Sequence, residues 1–264
     1  MRTRRKRIGE LMPELPEVET IARGLQVPLV GRTFTGATIA WPRTIAAQSP
    51  DEFSRGIAGR RVRSIGRRGK YIVISLDQGY LLVHLMMTGR LKVESSEQPL
   101  DRHTHTVLGL DNGRQLRFRD VRKFGRMYLV EELSTVTSKL GPEPLAIQLE
   151  EFEKLLARRS GRLKSLLLNQ GFLAGLGNIY ADESLFQAGL HPQRTVDTLT
   201  AVERERWYSA IQAVLTRAIR GRGTTLKDGG YVDAQGEAGD FQAQLAVYGR
   251  TGEPCRRCGT PVQR

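Results

Sequence analysis

The chain has 264 residues, 39% of them apolar and 26% charged, proportions of a globular protein with one large or two medium cores. Its 41 Lys and Arg against 28 Asp and Glu give a net charge of +13, which favours a polyanionic partner through phosphate neutralisation. No apolar run approaches bilayer length and the basic N-terminus lacks the apolar stretch of an export signal, so membrane-spanning and secreted classes are set aside. With two closely spaced cysteines as well, a cytoplasmic protein is expected.

Residues 1–12 hold five basic residues and one acid, and without them the charge falls only to +9. They are expected to be a basic extension that is disordered or lies upstream of the true start, at Met12. After the proline-rich Met12–Glu19, the positions Val18, Ile21, Ala22 and Leu25 predict an amphipathic helix ending before Pro28. Phe34–Trp41 alternates as a strand. Ser49-Pro50-Asp51-Glu52 is a helix start, with a serine cap and proline in the first turn. Seven short β-branched or aromatic runs follow between 61 and 130, punctuated by the hairpin signals Asp77-Gln78-Gly79 and Asp111-Asn112-Gly113. They predict a β-sandwich or barrel. Gly141-Pro142-Glu143-Pro144 breaks this pattern, and helices are expected at 150–158, 163–169, 179–188 and 200–220. Beyond Gly221 the chain becomes glycine-rich until Phe241–Tyr248, which alternates as a strand before Cys255-Arg256-Arg257-Cys258.

Five stretches carry chemistry. Pro13, if it were a free N-terminal amine, would be a nucleophile with a pKa of roughly 8, able to form an iminium at a sugar C1′, with Glu14 beside it as a proton shuttle. As an amide it is inert, and its ordinary role is helix punctuation. Gly175-Leu176-Gly177-Asn178 opens a helix whose free N–H groups suit a phosphate, or is simply a close-packed corner. Arg67-Arg68-Gly69-Lys70 and Arg119-Asp120-Val121-Arg122-Lys123-Phe124-Gly125 place cations and an aromatic at strand ends, as a nucleic-acid groove or a solvated edge would. Cys255 and Cys258 have knuckle spacing, but zinc needs four ligands and a second cysteine pair is missing.

Taken together, MPELPEVE (12–19), RRGK (67–70), RDVRKFG (119–125), LGPEPL (140–145), GLGNIYADE (175–183), YVDAQGEAGDFQ (231–242), VYGR (247–250) and PCRRCGTP (254–261) resemble the formamidopyrimidine-DNA glycosylase family, from Met12 onward. The resemblance implies an α+β protein. Residues 13–143 would form an N-terminal catalytic β-sandwich with flanking helices, and 144–225 a helix–two-turn–helix DNA-binding domain. Residues 226–242 would be a lesion-recognition loop, and 243–264 the first half of a β-hairpin zinc finger. It implies excision of oxidised purines from duplex DNA, followed by β- and δ-elimination at the abasic site. In that role Pro13 is the nucleophile, Glu14 the acid/base and Lys70 a phosphate-contacting lysine. His103, Lys164 and Asn178 would bind DNA, and Met87, Arg122 and Phe124 would fill the space left by an extruded nucleotide. Zn2+ on Cys255 and Cys258 is the implied metal. The partner is double-stranded DNA with oxidised bases or abasic sites, met as a monomer and without membrane. The competing readings are an endonuclease VIII-type enzyme for oxidised pyrimidines and an inactive damage-binding homologue.

Overall fold

A computed structural model describes residues 12–226 and 230–263. All of the expected basic extension except Met12, and 227–229 of the expected recognition loop, lie outside the described residues. Two hydrophobic cores meet at one helix, α1 (Leu15–Leu29). Leu15 enters a helical core, whereas Val18, Ile21, Ala22, Leu25 and Leu29 enter a sheet core. The helix was expected to stop before Pro28 but runs through it to Leu29. Proline lacks the N–H that would bond the carbonyl four residues back. That carbonyl, on Gly24, is taken at 3.1 Å by Nε2 of Gln235, far along the chain.

The sheet half is a sandwich. One sheet has four strands in the order β1 (Phe34–Ile39), β7 (Thr104–Leu110), β8 (Arg114–Asp120), β6 (Gly89–Ser95). The other has five, in the order β2 (Ile45–Ala46), β9 (Arg126–Val130), β5 (Tyr80–His84), β4 (Tyr71–Leu76), β3 (Val62–Arg68). The short parallel pairing of β2 with β9 had no signal in the sequence; the other pairings are antiparallel, and both expected hairpins form. Phe34, Ile72, Leu81, Leu108 and Phe118 are fully buried in the sheet core. Helix α2 (Pro50–Ile57) starts at the predicted serine cap, where Ser49 and Glu52 form a capping box, and buries Phe53 and Ile57.

The helical half contains α3 (Ser134–Thr137), α4 (Leu149–Leu156), α5 (Leu163–Leu168), α6 (Asn178–Ala188) and α7 (Ala201–Arg220). Its core centres on Phe152, whose ring lies 5.7 Å from Trp207 and 5.9 Å from Phe172. Phe241–Tyr248 is not the expected strand: Phe241–Gln244 is a 3-10 turn and the chain then continues irregularly. Phe241 and Leu245, four apart, both bury in the helical core, so the apolar spacing serves a turn of helix. The Glu183 carboxylate accepts the N–H groups of Ala246, Val247 and Tyr248 at 2.8, 2.9 and 2.8 Å, donors a strand would have given to a neighbour. None of the described helices is long and apolar enough to cross a membrane.

The halves are also tied through polar groups. Arg67 and Arg68, at the end of β3, meet the Glu143 carboxylate at 2.6 and 2.8 Å. Arg68 also donates to the carbonyls of Leu140 and Gly141. Because Leu15 is the α1 residue buried in the helical core, Leu15→Ala is expected to destabilise the protein by about 2–5 kcal/mol, measured by urea denaturation.

Candidate active site

A cleft of about 2480 Å³ runs between the two halves. Of the residues picked out from sequence, Glu14, Lys70, Met87, Phe124, Lys164 and Asn178 line it. Pro13 is buried, in sequence between Met12 and Glu14, which both line the cleft. His103, Arg122, Cys255 and Cys258 are not among the lining residues.

Glu14 precedes α1 and is only 2% exposed. Its carboxylate accepts backbone N–H bonds from Gly177 at 2.6 Å, Ile179 at 3.0 Å and Tyr180 at 3.4 Å. These three N–H groups lie at the start of α6, and a carboxylate of the chain itself takes them. Gly177 must be glycine for this, since a Cβ there would lie 2.4 Å from the Glu14 carboxyl carbon. The exposed Asn178 side chain is left facing the cleft.

Three ionisable groups share this interior. Burial raises the Glu14 pKa, against the opposing pull of Lys70 and the three N–H bonds. Burial likewise lowers the Lys70 pKa, opposed by Glu14 and Glu17. Glu17, fully buried, is raised to about 7 by burial and then by the neighbouring Glu14 charge. Its carboxylate accepts the Glu14 N–H at 2.9 Å, the Tyr180 hydroxyl at 2.5 Å and the Thr224 N–H at 2.7 Å. Glu17 thereby joins the start of α1, α6 and the segment leading into 226–242. Lys70 follows Gly69, whose N–H donates to Glu143 at 2.7 Å, so the Arg67–Arg68–Glu143 cluster fixes the backbone just before it.

On the sheet side of the cleft the Arg122 guanidinium lies 4.8 Å from the centre of the Phe124 ring, and Phe124 is 42% exposed. Lys164 is paired with Asp182 at 2.8 Å. His103 is half-exposed in the β6–β7 loop, where Arg102 Nε donates to its Nε2 at 3.0 Å. In the C-terminal segment the Cys255 N–H donates to Thr260 at 2.8 Å and the Arg257 N–H to Cys255 Sγ at 3.4 Å, a knuckle-like turn. Among the described residues no group of three or more His, Cys, Asp or Glu could hold a metal ion. Two thiols do not satisfy a tetrahedral zinc site.

Sequence reasoning missed Glu17, Tyr180, Thr224, His84 and Tyr248, of which the last two line the cleft. The three-residue spacing of Glu14 and Glu17 at a helix start was a capping signal that could have found Glu17. His84, the lone histidine in an apolar strand, is lowered to about 4 by burial and by Lys70, and so is neutral near pH 7.

The model of the formamidopyrimidine-DNA glycosylase N-terminal domain matches residues 12–127, and that of the formamidopyrimidine-DNA glycosylase H2TH domain matches 140–228. The chain belongs to the formamidopyrimidine-DNA glycosylase family. Within it, the chain is 49% identical to the enzyme of Herpetosiphon aurantiacus over 259 residues, covering 96% of this chain and 94% of the relative. It is 48% identical to that of Desulforamulus reducens over 261 residues, with the same two coverages. Its fold superposes with a TM-score of 0.87 on Lactococcus lactis Fpg in complex with DNA containing an abasic site, at 33% identity, covering 95% of this chain and 93% of that one. For the Fpg protein of Thermus thermophilus the TM-score is 0.86, at 40% identity, covering 96% and 93%. The mixed sheet-and-helix architecture expected from the sequence is therefore the family's own.

A carboxyl raised from 4.5 to about 7 keeps its proton in the fold while the unfolded chain has already lost it. Glu17 therefore favours the folded state fully below about pH 4.5, and this contribution is lost as the pH rises through about 7. Thermal unfolding from pH 5 to 8 should show a steeper loss of stability in the native protein than in Glu17→Gln.

Proposed function

We propose that this protein is a base-excision-repair DNA glycosylase and abasic-site lyase that removes oxidised purines, 8-oxoguanine and formamidopyrimidines, from duplex DNA. The observation that carries the reading is the Glu14 carboxylate clamped on the start of α6, with buried Pro13 beside it and desolvated Lys70 lining the same cleft within its electrostatic reach. In a chain processed to Pro13, the proline nitrogen would attack C1′ of an extruded nucleotide. The glycosidic bond breaks with its electron pair going to the departing base, which takes up a proton. The nitrogen loses its own proton, and the C1′–O4′ bond then breaks with its electron pair going to O4′, which takes up a proton as the ring opens to the iminium. Removal of a 2′ proton then expels the 3′ phosphate, and a second elimination expels the 5′ phosphate.

Glu14, with its raised pKa, is assigned proton transfer at the sugar, and Lys70 the phosphate next to the lesion. Lys164, Asn178 and His103 are assigned to the backbone, and Met87, Arg122 and Phe124 to the space left in the stack. The net positive charge supports association with duplex DNA as a monomer, in the cytoplasm where such DNA is found. Zinc loading at Cys255 and Cys258 would require two further ligands, and no step of this chemistry is assigned to it.

The test is borohydride trapping on a duplex containing 8-oxoguanine. Protein beginning at Pro13 should form a covalent DNA adduct and cleave the strand, and Pro13→Gly should do so at least tenfold more slowly. The same protein carrying residues 1–12 should give no adduct, because its Pro13 nitrogen is an amide. An absence of adduct from the Pro13 form would overturn the reading, and faster release of thymine glycol than of 8-oxoguanine would move the enzyme to the oxidised-pyrimidine branch.

A further inference from the structure

Asp120, the last residue of β8, is 1% exposed, and its carboxylate is held by neutral donors from two different turns. Oδ2 accepts the Gly125 N–H at 2.7 Å, and Oδ1 accepts the Arg122 N–H at 3.2 Å. Oδ1 also accepts the hydroxyl of Thr88, which follows Met87 and itself accepts the Arg122 N–H at 3.1 Å. One buried carboxylate thus joins the turn carrying Met87 to the turn carrying Arg122 and Phe124. The space around it is filled: a Cβ on Gly125 would lie 2.3 Å from the Phe118 ring and 3.1 Å from Asp120 Oδ2.

The middle of the second turn is fixed from outside. Lys123 has φ +60, a conformation disfavoured without glycine. Its ammonium lies 4.2 Å from the centre of the Trp41 ring, a cation–π contact to a residue outside the turn. A buried carboxylate is costly unless its acceptors are filled, and here each bond that fills them also fixes one of the two turns.

We propose that Asp120 is a positioning residue for DNA entry, setting Met87, Arg122 and Phe124 as one rigid wedge before the duplex arrives; this rests on the void-filling role assigned to those three side chains above. A wedge organised in the free protein loses less conformational freedom on insertion than three independent side chains. Asp120→Asn keeps the shape but turns one acceptor oxygen into a donor, so that an N–H group of one turn faces an N–H group of the side chain. Thr88→Val removes only the hydroxyl that links the two turns.

The test uses the full chain and a duplex with a tetrahydrofuran abasic-site analogue, with 2-aminopurine next to the orphaned base as a reporter of unstacking; it requires no catalysis. Asp120→Asn is expected to weaken binding at least tenfold and, at saturating protein, to cut the fluorescence rise to less than half that of the native protein. Thr88→Val should do the same in milder form, and the double variant should be no worse than Asp120→Asn alone. All variants are compared where circular dichroism shows them folded, and Thr88→Val alone carries the test if Asp120→Asn does not fold. A full native amplitude at saturation, or additive losses in the double variant, would overturn the proposal. Tight binding by the native protein with no fluorescence rise would overturn the wedge itself and the proposal with it, while leaving glycosylase activity to be judged by trapping.

Discussion

The structure depends on the carboxylate of Glu14 seated on the first turn of α6. A helix start presents unsatisfied N–H groups and a positive dipole end, and burying it without an acceptor would be costly. A carboxylate taken out of water is equally costly without donors. Each group answers the other, across more than 160 residues of chain. The bond therefore holds the sheet half and the helical half together and fixes the residue next to Pro13. One contact serves both stability and the proposed chemistry, so its two ends cannot vary independently.

Around that contact the interior holds two acids and one lysine. If all three were ionised, the site would carry an excess negative charge in a poorly solvated space. Raising Glu17 towards neutrality reduces that excess, while Glu14 and Lys70 each oppose the shift that burial imposes on the other. The Tyr180 hydroxyl and the Thr224 N–H complete the set of donors around Glu17. The segment leading into residues 226–242 is consequently anchored at the same point as the proposed nucleophile.

Elements governed by local pattern were readable from sequence: the alternating strands, the two Asp-x-Gly hairpins and the serine-capped α2 formed where the residues said they would. What escaped was set by partners distant in the chain. Nothing near Pro28 shows that Gln235 will satisfy the carbonyl the proline frees, so the helix end was placed too early. Phe241–Tyr248 has an apolar spacing compatible with either state, and the Glu183 carboxylate decided it by capturing three consecutive N–H groups. The glycines at the start of α6 were legible as a helix end with open N–H groups, but nothing local reveals that Glu14, more than 160 residues earlier, takes three of them. Likewise the motif carrying Arg122 and Phe124 was visible as a basic, aromatic strand end, whereas the Trp41 contact with Lys123 joins it to a loop some eighty residues earlier.

In α1, the carbonyl of Gly24 is a socket left open by a proline four residues on, and Gln235 fills it. A Cβ at Gly24 would lie 2.8 Å from the Gln235 side-chain oxygen, so a side chain there would push Gln235 from its place. Positions 24 and 28 are thus linked physically to 235, some two hundred residues away. A non-proline residue at 28 would close the helix bond and make Gln235 dispensable, and a side chain at 24 would evict it whatever stood at 28. Substitutions at these sites are therefore epistatic: the same change at 235 is costly in one background and silent in another.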